Sequence, residues 1–470
     1  MRIVIFGVGQ YYKNRKRQLE ELGNEVQIVC FIDNNSIVNQ MDGYPILKPY
    51  ELNGVNYDCI LLMSKSNREM TKQLIEMGIP KDRIVNWFQF LIPFRKGIFK
   101  FYSGRKNTIG KKRILVLSTY LDYNGGTMAA VYAVRALCDK GYYACLAAED
   151  GDKNLIKEIT DEGMDVVLCR GIKGFSEEEQ RWVSQFDAVV VNVFQMVKCA
   201  VDISKQKPVV WWIHESNNTF STVFEKEFDY CGKEGFIDEN FHNISVCAVS
   251  DIPKRYFLSY FPNQKVFNLP YGIPDKCQCK EIVTEKRKII FAVIGVVCEL
   301  KRQDLFVDAI NRLPKNLSNV EFWMVGSIEN DEFCDRIKEK TTGISNIKML
   351  GNMSRKQMAD VYSDISVVVC TSNEDSLPIA CTEGMMYGKP IITTENTGTA
   401  NYIKNEVNGF VCKVDSAEDL ASRMEWMINH SSKLAEMGAN ARKVYEKYFS
   451  LESFGENLEK VLIDNNCINK

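Results

Sequence analysis

The chain has 470 residues, of which 45% are hydrophobic and 26% are charged, an ordinary globular composition. The length predicts about two to four domains, and the formal net charge of −2 gives no basic field for nucleic acid, so we expect no nucleic-acid partner. We find no apolar run long enough to cross a bilayer and no signal peptide in the start MRIVIFGVGQ, so we expect a cytoplasmic protein.

Short apolar runs alternate with amphipathic stretches from end to end of the chain, which predicts parallel sheets covered by helices. The alternation makes three rounds, which begin at Met1, near Arg113 and near Lys288. The polar segment GIPDKCQCKEIVTEKRK separates the second round from the third. Two α/β domains joined in this way enclose a cleft, and ligands of such sheets bind beyond the carboxyl ends of the strands.

The first round contains a glycine turn at Gly7 and Gly9 after the strand RIVIF, and Asp33 after the strand VQIVCFI. Such a turn, with an acid after the second strand, is typical of dinucleotide folds, in which the acid binds a ribose hydroxyl. Tyr12 stands where that motif has its third glycine. Both a second nucleotide site at Gly7, Gly9 and Asp33 and an ordinary tight turn with a solvated acid remain open.

The segment Trp87–Arg113 carries eight Lys or Arg residues, seven aromatic residues and no Asp or Glu. Aromatic side chains interleaved with cations suit the headgroup layer of an anionic membrane. Pro93 and Gly97 interrupt any single amphipathic helix. The segment is therefore predicted either to contact a membrane peripherally or to be a basic linker whose aromatic residues pack on a neighbouring domain.

The second round places Asn124-Gly125-Gly126 between a strand and a helix, and His214 directly after the strand PVVWWI. Paired glycines let the backbone approach a ligand closely, and an ordinary strand-to-helix turn is the alternative. A histidine at the end of a buried strand lies where catalytic groups of α/β folds gather, although a structural histidine would fit as well.

The third round begins with the strand RKIIFAVI, which is followed by Gly295, Lys301 and Arg302. A glycine turn with two cations at the mouth of a cleft suits a diphosphate, because both side chains donate charge-assisted hydrogen bonds. A solvated first helical turn is the alternative.

The stretch CTSNEDSLPIACTEGMMYGKPIITTEN predicts a helix that begins near Pro378 and carries one carboxylate, Glu383, among small and apolar residues. Asp375 or Ser376 can cap this helix, and its N-terminus can bind phosphate. An ionised carboxylate on such a helix is costly unless it is paired, and ribose hydroxyls would pair it. The alternative is that Glu383 reaches solvent and Asp375 is only a cap.

At Lys112–Asn465 the chain resembles a glycosyltransferase of family 4, which has the GT-B fold. The resemblance is carried by NGGT, WWIHE, GVVCELKRQD, EDSLPIACTEGMMYGKPII and the TGTANYI…NGFV segment. The family has two acidic residues separated by seven positions, and here they fall on Asp375 and Glu383. The family usually has glutamate at the first, and it has an arginine where this chain has Val296 or Leu300.

The resemblance implies retaining transfer of a hexose-type sugar from a nucleotide-diphosphate sugar to a saccharide or lipid-linked saccharide acceptor, in surface polysaccharide synthesis. It implies no metal, no other cofactor and no dedicated protein base. Glu383 would hold the ribose, Lys301 and Arg302 would neutralise the diphosphate, and His214 would face the reacting carbon. Asp375 would hold the donor sugar. The other residues implied in donor binding are Ser376, Leu377, Pro378, Gly125, Gly126 and Gly295.

The first round resembles a small Rossmann-like domain that precedes acyltransferases and methyltransferases of sugar pathways, through FGVGQ, FIDNN and GIPKDRIV. The expected α/β fold is therefore GT-B, with two Rossmann-like domains facing across a cleft, preceded by a small Rossmann-like domain. The predicted parts are a small domain (1–87), a basic aromatic linker (88–112), an acceptor domain (113–272), a nucleotide-sugar domain (273–435) and C-terminal helices that return to the acceptor domain (436–470).

Two other functions fit the departures from the family pattern. One is a non-catalytic binding or scaffold protein, and the other is a sugar-nucleotide epimerase of the same fold. The DxD pattern Asp150-Gly151-Asp152 holds a divalent ion in another glycosyltransferase fold, but here we interpret it as a turn and a helix cap. The 16 cysteines include no CxxC pair, so we expect reduced, buried thiols rather than zinc ligands or disulfides.

Overall fold

The structure is a computed structural model that describes residues 1–64, 67–104, 112–216, 220, 241, 243–277, 288–314, 317–328 and 331–468. Part of the basic aromatic segment, residues 105–111, lies outside the described residues. Two compact units are present. Met1–Lys100 and Cys169–Val183 belong to the first, and Phe101–Leu168, Ser184–Val223 and Ile237–Lys470 belong to the second.

The first unit is built on the N-terminal sheet, whose strand order is β3-β4-β2-β1-β5-β6. Its strands are β1 (Arg2–Phe6), β2 (Gln27–Ile32), β3 (Gln40–Met41), β4 (Tyr44–Leu47), β5 (Cys59–Leu62) and β6 (Ile84–Asn86). Its helices are Gln10–Lys13, Lys16–Glu20, Asn67–Glu76, Trp87–Arg95 and Glu177–Val183. The pairings are parallel except between β3 and β4, as expected for strands buried on both faces.

The helix Trp87–Arg95 uses most of its aromatic residues inside the first unit. Asn86 caps it, since its side chain accepts the N–H of Gln89 at 2.9 Å and the Gln89 side chain accepts the N–H of Asn86 at 3.1 Å. Trp87 and Phe90 are each 3% exposed and lie in the core of the N-terminal sheet. The burial of these rings favours packing on protein over membrane contact for this part of the segment.

The second unit contains the middle sheet, whose strand order is β16-β15-β14-β13-β8-β10-β12-β7. Its strands are β7 (Phe99–Tyr102), β8 (Arg113–Leu117), β10 (Tyr143–Ala148), β12 (Asp165–Cys169), β13 (Ala188–Asn192), β14 (Val209–Ile213), β15 (Ile244–Ala248) and β16 (Val266–Asn268), while β9 (Tyr120–Leu121) and β11 (Asp150–Gly151) form a separate pair. Its helices are Gly125–Asp139, Lys153–Asp161, Val197–Ser204 and Asp251–Tyr260. The pairings from β12 to β16 are parallel.

The second unit also contains the C-terminal sheet, which is parallel and has the order β19-β18-β17-β20-β21-β22. Its strands are β17 (Ile289–Ile294), β18 (Val320–Val325), β19 (Ile347–Gly351), β20 (Val367–Cys370), β21 (Ile391–Thr394) and β22 (Gly409–Cys412). Its helices are Gln303–Ile310, Asp331–Thr341, Arg355–Asp364, Ile379–Met386, Ala417–Asn429 and Leu434–Val444.

The last helix, Leu451–Asp464, packs on the middle sheet. Its residue Phe454 stacks on Trp212 of β14 with 5.2 Å between ring centroids. Its residue Glu459 accepts the hydroxyl of Tyr142 at 2.7 Å. One continuous hydrophobic core therefore joins residues of the middle and C-terminal sheets. Within the described part of the chain, no helix combines the length and the hydropathy that a membrane span needs.

Candidate active site

A cavity of about 760 Å³ lies at the carboxyl ends of strands from both sheets of the second unit. This is the place where parallel sheets bind ligands. The predicted residues that line it are Gly125, Gly126, His214, Gly295, Lys301, Asp375, Ser376, Leu377, Pro378 and Glu383. The same cavity is also lined by Glu374, which could substitute for Asp375, and by residues to which the sequence assigned no role, among them Tyr123, Glu215 and Tyr271. The fold therefore brings together residues that are up to 260 positions apart in the chain, from Tyr123 to Glu383.

Glu383 lies on the helix Ile379–Met386, which packs closely on β20. A Cβ at Gly384 would come within 2.7 Å of a Val368 methyl group, so a glycine is needed for this approach. Tyr362, which is 1% exposed, donates its hydroxyl to Glu383 Oε2 at 2.8 Å. Burial and the Glu383 charge raise the pKa of Tyr362 well above its usual value, so it remains a donor. The carboxylate is thus stabilised within the protein while it also lines the cavity.

The loop before this helix is held by the middle-sheet side of the cavity. Tyr271 donates its hydroxyl to the carbonyl of Leu377 at 2.7 Å, and Ser250 donates to the carbonyl of Ser376. A Cβ at Gly398 would overlap that same Ser376 carbonyl, which explains why a glycine stands there. The backbone of Ser376 and Leu377 is therefore fixed where it borders the cavity.

Lys301 and Asp375 form an ion pair at the cavity wall. Their side chains are 30% and 15% exposed. Burial alone would lower the pKa of Lys301, but the Asp375 carboxylate reverses this effect and the net pKa is raised. Lys301 therefore presents a permanent positive charge to the cavity.

Arg302 does not line the cavity, although the sequence predicted that it would bind a diphosphate with Lys301. Its guanidinium donates to Asp304 at 3.0 Å, to the Asn373 side chain at 2.9 Å and to Asp415. Arg302 also has a left-handed backbone, with φ of +53°, directly before the helix Gln303–Ile310. Its side chain is therefore committed to holding loops of the C-terminal sheet together.

The helix Gly125–Asp139 begins at the cavity opposite Ile379. Asn124 caps it by accepting the Thr127 N–H at 2.9 Å. A Cβ at Gly125 would meet the Ile379 side chain at 3.7 Å, and one at Gly126 would meet Val193 at 3.2 Å. The helix Ile379–Met386, by contrast, begins without a side-chain cap, so the expectation that Asp375 or Ser376 would cap it is wrong.

His214 follows β14 and its ring packs on Trp212, with 4.4 Å between ring centroids. Burial lowers the pKa of His214 to about 3, so the imidazole is neutral at neutral pH. Its Nε2 atom is buried and has no hydrogen-bond partner among the described residues. The ring can therefore donate or accept one hydrogen bond at the cavity.

Glu215 is a cavity residue whose role the sequence did not reveal. Its carboxylate accepts the N–H of Phe194 at 2.9 Å and the N–H of His214 at 2.8 Å. Burial raises the pKa of Glu215 to about 7, although hydrogen bonds from the backbone N–H groups of Phe194, His214 and Glu215 itself oppose this shift. The available signal in the sequence was a carboxylate two residues after a buried strand. The catalytic role was instead predicted for the neighbouring His214.

Two further sequence signals are not among the residues that line this cavity. In the first unit, Asp33 accepts the N–H of Val8 at 3.2 Å and the N–H of Asn35 at 2.8 Å, so its carboxylate holds the turn that contains Gly7 and Gly9. In the middle sheet, Asp152 of the DxD pattern accepts the N–H groups of Asn154 and Leu155 at 2.9 and 3.0 Å. This confirms the interpretation of Asp152 as a helix cap.

Comparison with known families bears on the region that holds Lys301, Asp375 and Glu383. Residues 278–444 match the family model of glycosyl transferases group 1. A second family model, described as C2185-like, N-terminal, matches residues 1–85.

The curated relatives of this chain are distant. The poly(ribitol-phosphate) alpha-N-acetylglucosaminyltransferase of Staphylococcus aureus is 24% identical over 247 residues, which are 52% of this chain and 48% of that enzyme. The mouse alpha-1,3/1,6-mannosyltransferase ALG2 is 24% identical over 212 residues, which are 42% of this chain and 50% of that enzyme. The chain thus spans about half the length of these relatives.

Solved structures establish the fold. Anabaena HepE in complex with UDP superposes with a TM-score of 0.60 and 16% identity, covering 75% of this chain and 100% of that one. A glycosyltransferase from Rickettsia africae superposes with a TM-score of 0.61 and 17% identity, covering 75% of this chain and 98% of that one. The expected GT-B fold is confirmed by these matches.

Proposed function

We propose that this protein is a glycosyltransferase that moves a hexose-type sugar from a nucleotide-diphosphate sugar to a saccharide or lipid-linked saccharide acceptor. The observation that carries the proposal is one cavity lined by a paired cation, two carboxylates and a neutral imidazole, namely Lys301, Asp375, Glu383 and His214. The match to glycosyl transferases group 1 supports it, as does the similarity to the poly(ribitol-phosphate) alpha-N-acetylglucosaminyltransferase and to a capsular polysaccharide biosynthesis glycosyltransferase of Staphylococcus aureus. HepE, which binds UDP, supports a nucleotide-sugar donor.

The charged residues Glu383, Lys301 and Asp375 have roles that follow from their chemistry. Glu383 accepts hydrogen bonds from the ribose hydroxyls, and the hydrogen bond that Tyr362 donates to it fixes the orientation of the carboxylate. Lys301 neutralises the diphosphate, whose charge increases as the sugar leaves, and the backbone that begins the helix Ile379–Met386 adds a positive dipole. Asp375 orients both Lys301 and the sugar hydroxyls.

The proposed reaction retains the configuration at the reacting carbon and uses no metal. The leaving diphosphate oxygen takes the proton of the acceptor hydroxyl while the acceptor oxygen bonds to that carbon. His214 donates a hydrogen bond to the sugar at the same face, which a neutral imidazole does without adding charge. Analysis of the anomeric configuration of the product by NMR tests this clause separately.

The decisive experiment is a donor screen on the full chain. Thermal stabilisation and nucleotide release are measured with UDP-, GDP-, TDP- and ADP-sugars, beside Glu383→Ala and Lys301→Ala. We expect one donor to stabilise the native protein and to be turned over, and both variants to lose these effects.

Two alternatives predict different results in this screen. A non-catalytic binding or scaffold protein would be stabilised by a donor without nucleotide release, or by none. A sugar-nucleotide epimerase would release a free sugar without an acceptor.

A matched control for the donor screen is Glu321→Gln, since Glu321 lies in the C-terminal sheet and does not line the cavity.

We also propose a cytoplasmic location with peripheral contact to an anionic membrane through Trp87–Arg113. Only the exposed apolar side chains of this segment support membrane contact. Ile98 and Phe101 are 45% and 64% exposed, whereas Trp87 and Phe90 are buried. Co-sedimentation with vesicles that contain anionic lipid, at low and high salt, tests this proposal. Failure to sediment at low salt contradicts it and leaves a packed basic segment.

For the first unit we propose a nucleotide site at Gly7, Gly9 and Asp33. The glycine turn after the first strand and the acid after the second support it, whereas the two backbone bonds that Asp33 accepts reduce the lone pairs available to a ribose. Calorimetry with free nucleotides on Asp33→Asn and on the native chain tests it independently of the donor screen.

A further inference from the structure

Glu215 is one of the two cavity carboxylates, with Glu374, to which the roles above assign no task. It follows His214 at the carboxyl end of β14, and its Oε2 accepts the N–H of His214 at 2.8 Å. Its Oε1 accepts the N–H of Phe194 at 2.9 Å, two residues beyond the end of β13. One side chain therefore ties together the ends of two neighbouring strands at the cavity wall.

The turn that Glu215 binds has an unusual backbone. Val193 has φ of +71° and ψ of 153°, a region that β-branched residues rarely adopt and that is found where surrounding structure enforces it. Its N–H donates to the Trp212 carbonyl at 2.9 Å, and its carbonyl accepts the Trp211 indole N–H at 3.0 Å. The Glu215 bond to Phe194 is the next restraint along the chain.

The position of Val193 matters because of Gly126. A Cβ on Gly126 would lie 3.2 Å from Val193 Cγ1, so the turn sets how far the glycine loop reaches into the cavity. A shift of Val193 would therefore move the backbone that the proposed donor meets. Because the Glu215 carboxylate binds both His214 and the turn at Val193, it links the position of His214 to the position of the glycine loop.

We propose that Glu215 is a positioning residue for transfer, which holds His214 and the Val193 turn in place and does so fully only as the ionised carboxylate. The proposal rests on the proposed function, because the cavity that it organises is the transfer site. The physical reason is that a carboxylate accepts on both oxygens, whereas a protonated carboxyl uses one oxygen as a donor. Protonation therefore weakens one of the two backbone bonds.

The charges around Glu215 decide when this protonation occurs. Burial raises the pKa of Glu215 to about 7, and the turn Phe194–Met196 that packs on it contains no ionisable side chain. The other described titratable side chains that line the cavity are Tyr123, His214, Tyr271, Lys301, Cys370, Glu374, Asp375 and Glu383. Burial keeps His214 neutral at pH 7, with a pKa of about 3. A hydrogen bond with the Cys381 thiol lowers the pKa of Cys370 towards neutral pH, so Cys370 is the competing group.

The experiment compares Glu215→Gln and Glu215→Asp with the native chain, by measuring kcat and KM for the donor as a function of pH. We expect the native kcat to fall as the pH falls through about 7. Glu215→Gln should lower kcat about tenfold at pH 8, remove the inflection and change KM less than about twofold. Glu215→Asp should keep an inflection with a reduced kcat, because it keeps the charge and shortens the reach.

Two control variants separate this role from general stability. Glu179 is a buried carboxylate of the first unit that also accepts backbone N–H bonds, from Gly97 at 2.7 Å and Ser176 at 3.1 Å. Glu179→Gln should lower the melting temperature without moving the pH profile. Cys370→Ser should keep the inflection. Loss of the inflection in Cys370→Ser, or a native profile in Glu215→Gln, overturns the proposal.

A second measurement needs no turnover. The chain has three histidines, so the imidazole resonance of His214 can be assigned with one variant. We expect that resonance to shift with a midpoint near pH 7 in the native chain and to stay constant in Glu215→Gln. A His214 resonance that does not move in the native chain overturns the proposal. If no donor is turned over but the His214 resonance still shifts with pH as expected, only the proposed function is overturned.

Discussion

The first strand of the N-terminal sheet and the first strand of the C-terminal sheet end in the same way. Each is followed by a glycine with a positive φ, +106° at Gly7 and +149° at Gly295. In the N-terminal sheet the nearby acid, Asp33, accepts two backbone N–H groups of its own loops. In the C-terminal sheet, Gly295 lines a cavity with Lys301 and Asp375. A glycine turn therefore identifies the end of a strand, and the side chains brought in by other strands decide which charges surround that turn.

Among the variants that test this comparison, we expect the largest effect on donor binding from a substitution of Glu383. Glu383→Gln should weaken donor binding by about 1.5–3 kcal/mol, about a 10- to 100-fold rise in Kd, because a charged acceptor of ribose hydroxyls is lost. Calorimetric titration with the donor measures it. Tyr362→Phe is the matched control, since it removes only the hydroxyl that supports Glu383. If Tyr362→Phe weakens binding more than Glu383→Gln, Glu383 does not contact the donor.

The next effect separates the two adjacent cations. Lys301→Met should reduce affinity for the nucleoside diphosphate about tenfold and reduce its salt dependence, because Lys301 supplies a cavity charge. Arg302→Met should instead lower the free energy of unfolding and leave affinity within about twofold, because Arg302 binds Asp304, Asn373 and Asp415. Titration at two salt concentrations and urea unfolding measure both. The reverse result would place the diphosphate at Arg302.

A smaller effect is expected in the first unit. Asp33→Asn should lower its free energy of unfolding by about 1 kcal/mol, because two backbone N–H groups lose a charged acceptor. The affinity of the donor for the cavity of the second unit should not change. Urea unfolding and the donor titration together check this, and a loss of donor affinity would contradict the separate roles of the two turns.

The smallest effect concerns pH and the edge of the C-terminal sheet. Hydrogen bonds from Lys288, Lys348 and the Trp323 indole lower the pKa of Glu321 from 4.5 to about 2. Because the folded pKa is depressed, this stabilisation is present above about pH 4.5 and is lost as the pH falls towards 2. The difference in unfolding free energy between the native chain and Glu321→Gln should shrink over that interval. A difference that is constant from pH 7 to pH 2 would contradict the assigned pKa.

The sequence by itself determined the alternation of strands and helices, because burial on both faces of a parallel sheet requires continuous apolar runs such as those of β13 and β20. It also placed His214, Gly295 and Glu383 correctly at strand ends or on the helix after one, since these positions depend on local order along the chain. The GT-B fold was implied by the family resemblance that the motifs carry.

Only the tertiary structure decided which of these side chains are available to a ligand. Lys301 and Arg302 are neighbours in sequence, but only Lys301 lines the cavity, because Asp415 and Asn373 from distant loops bind Arg302. Tyr362 and Glu215 acquire their roles from partners 21 positions away in each case, Glu383 and Phe194. Partners and burial set the charge and the direction of a polar group, and both depend on contacts between distant residues that a single sequence does not specify.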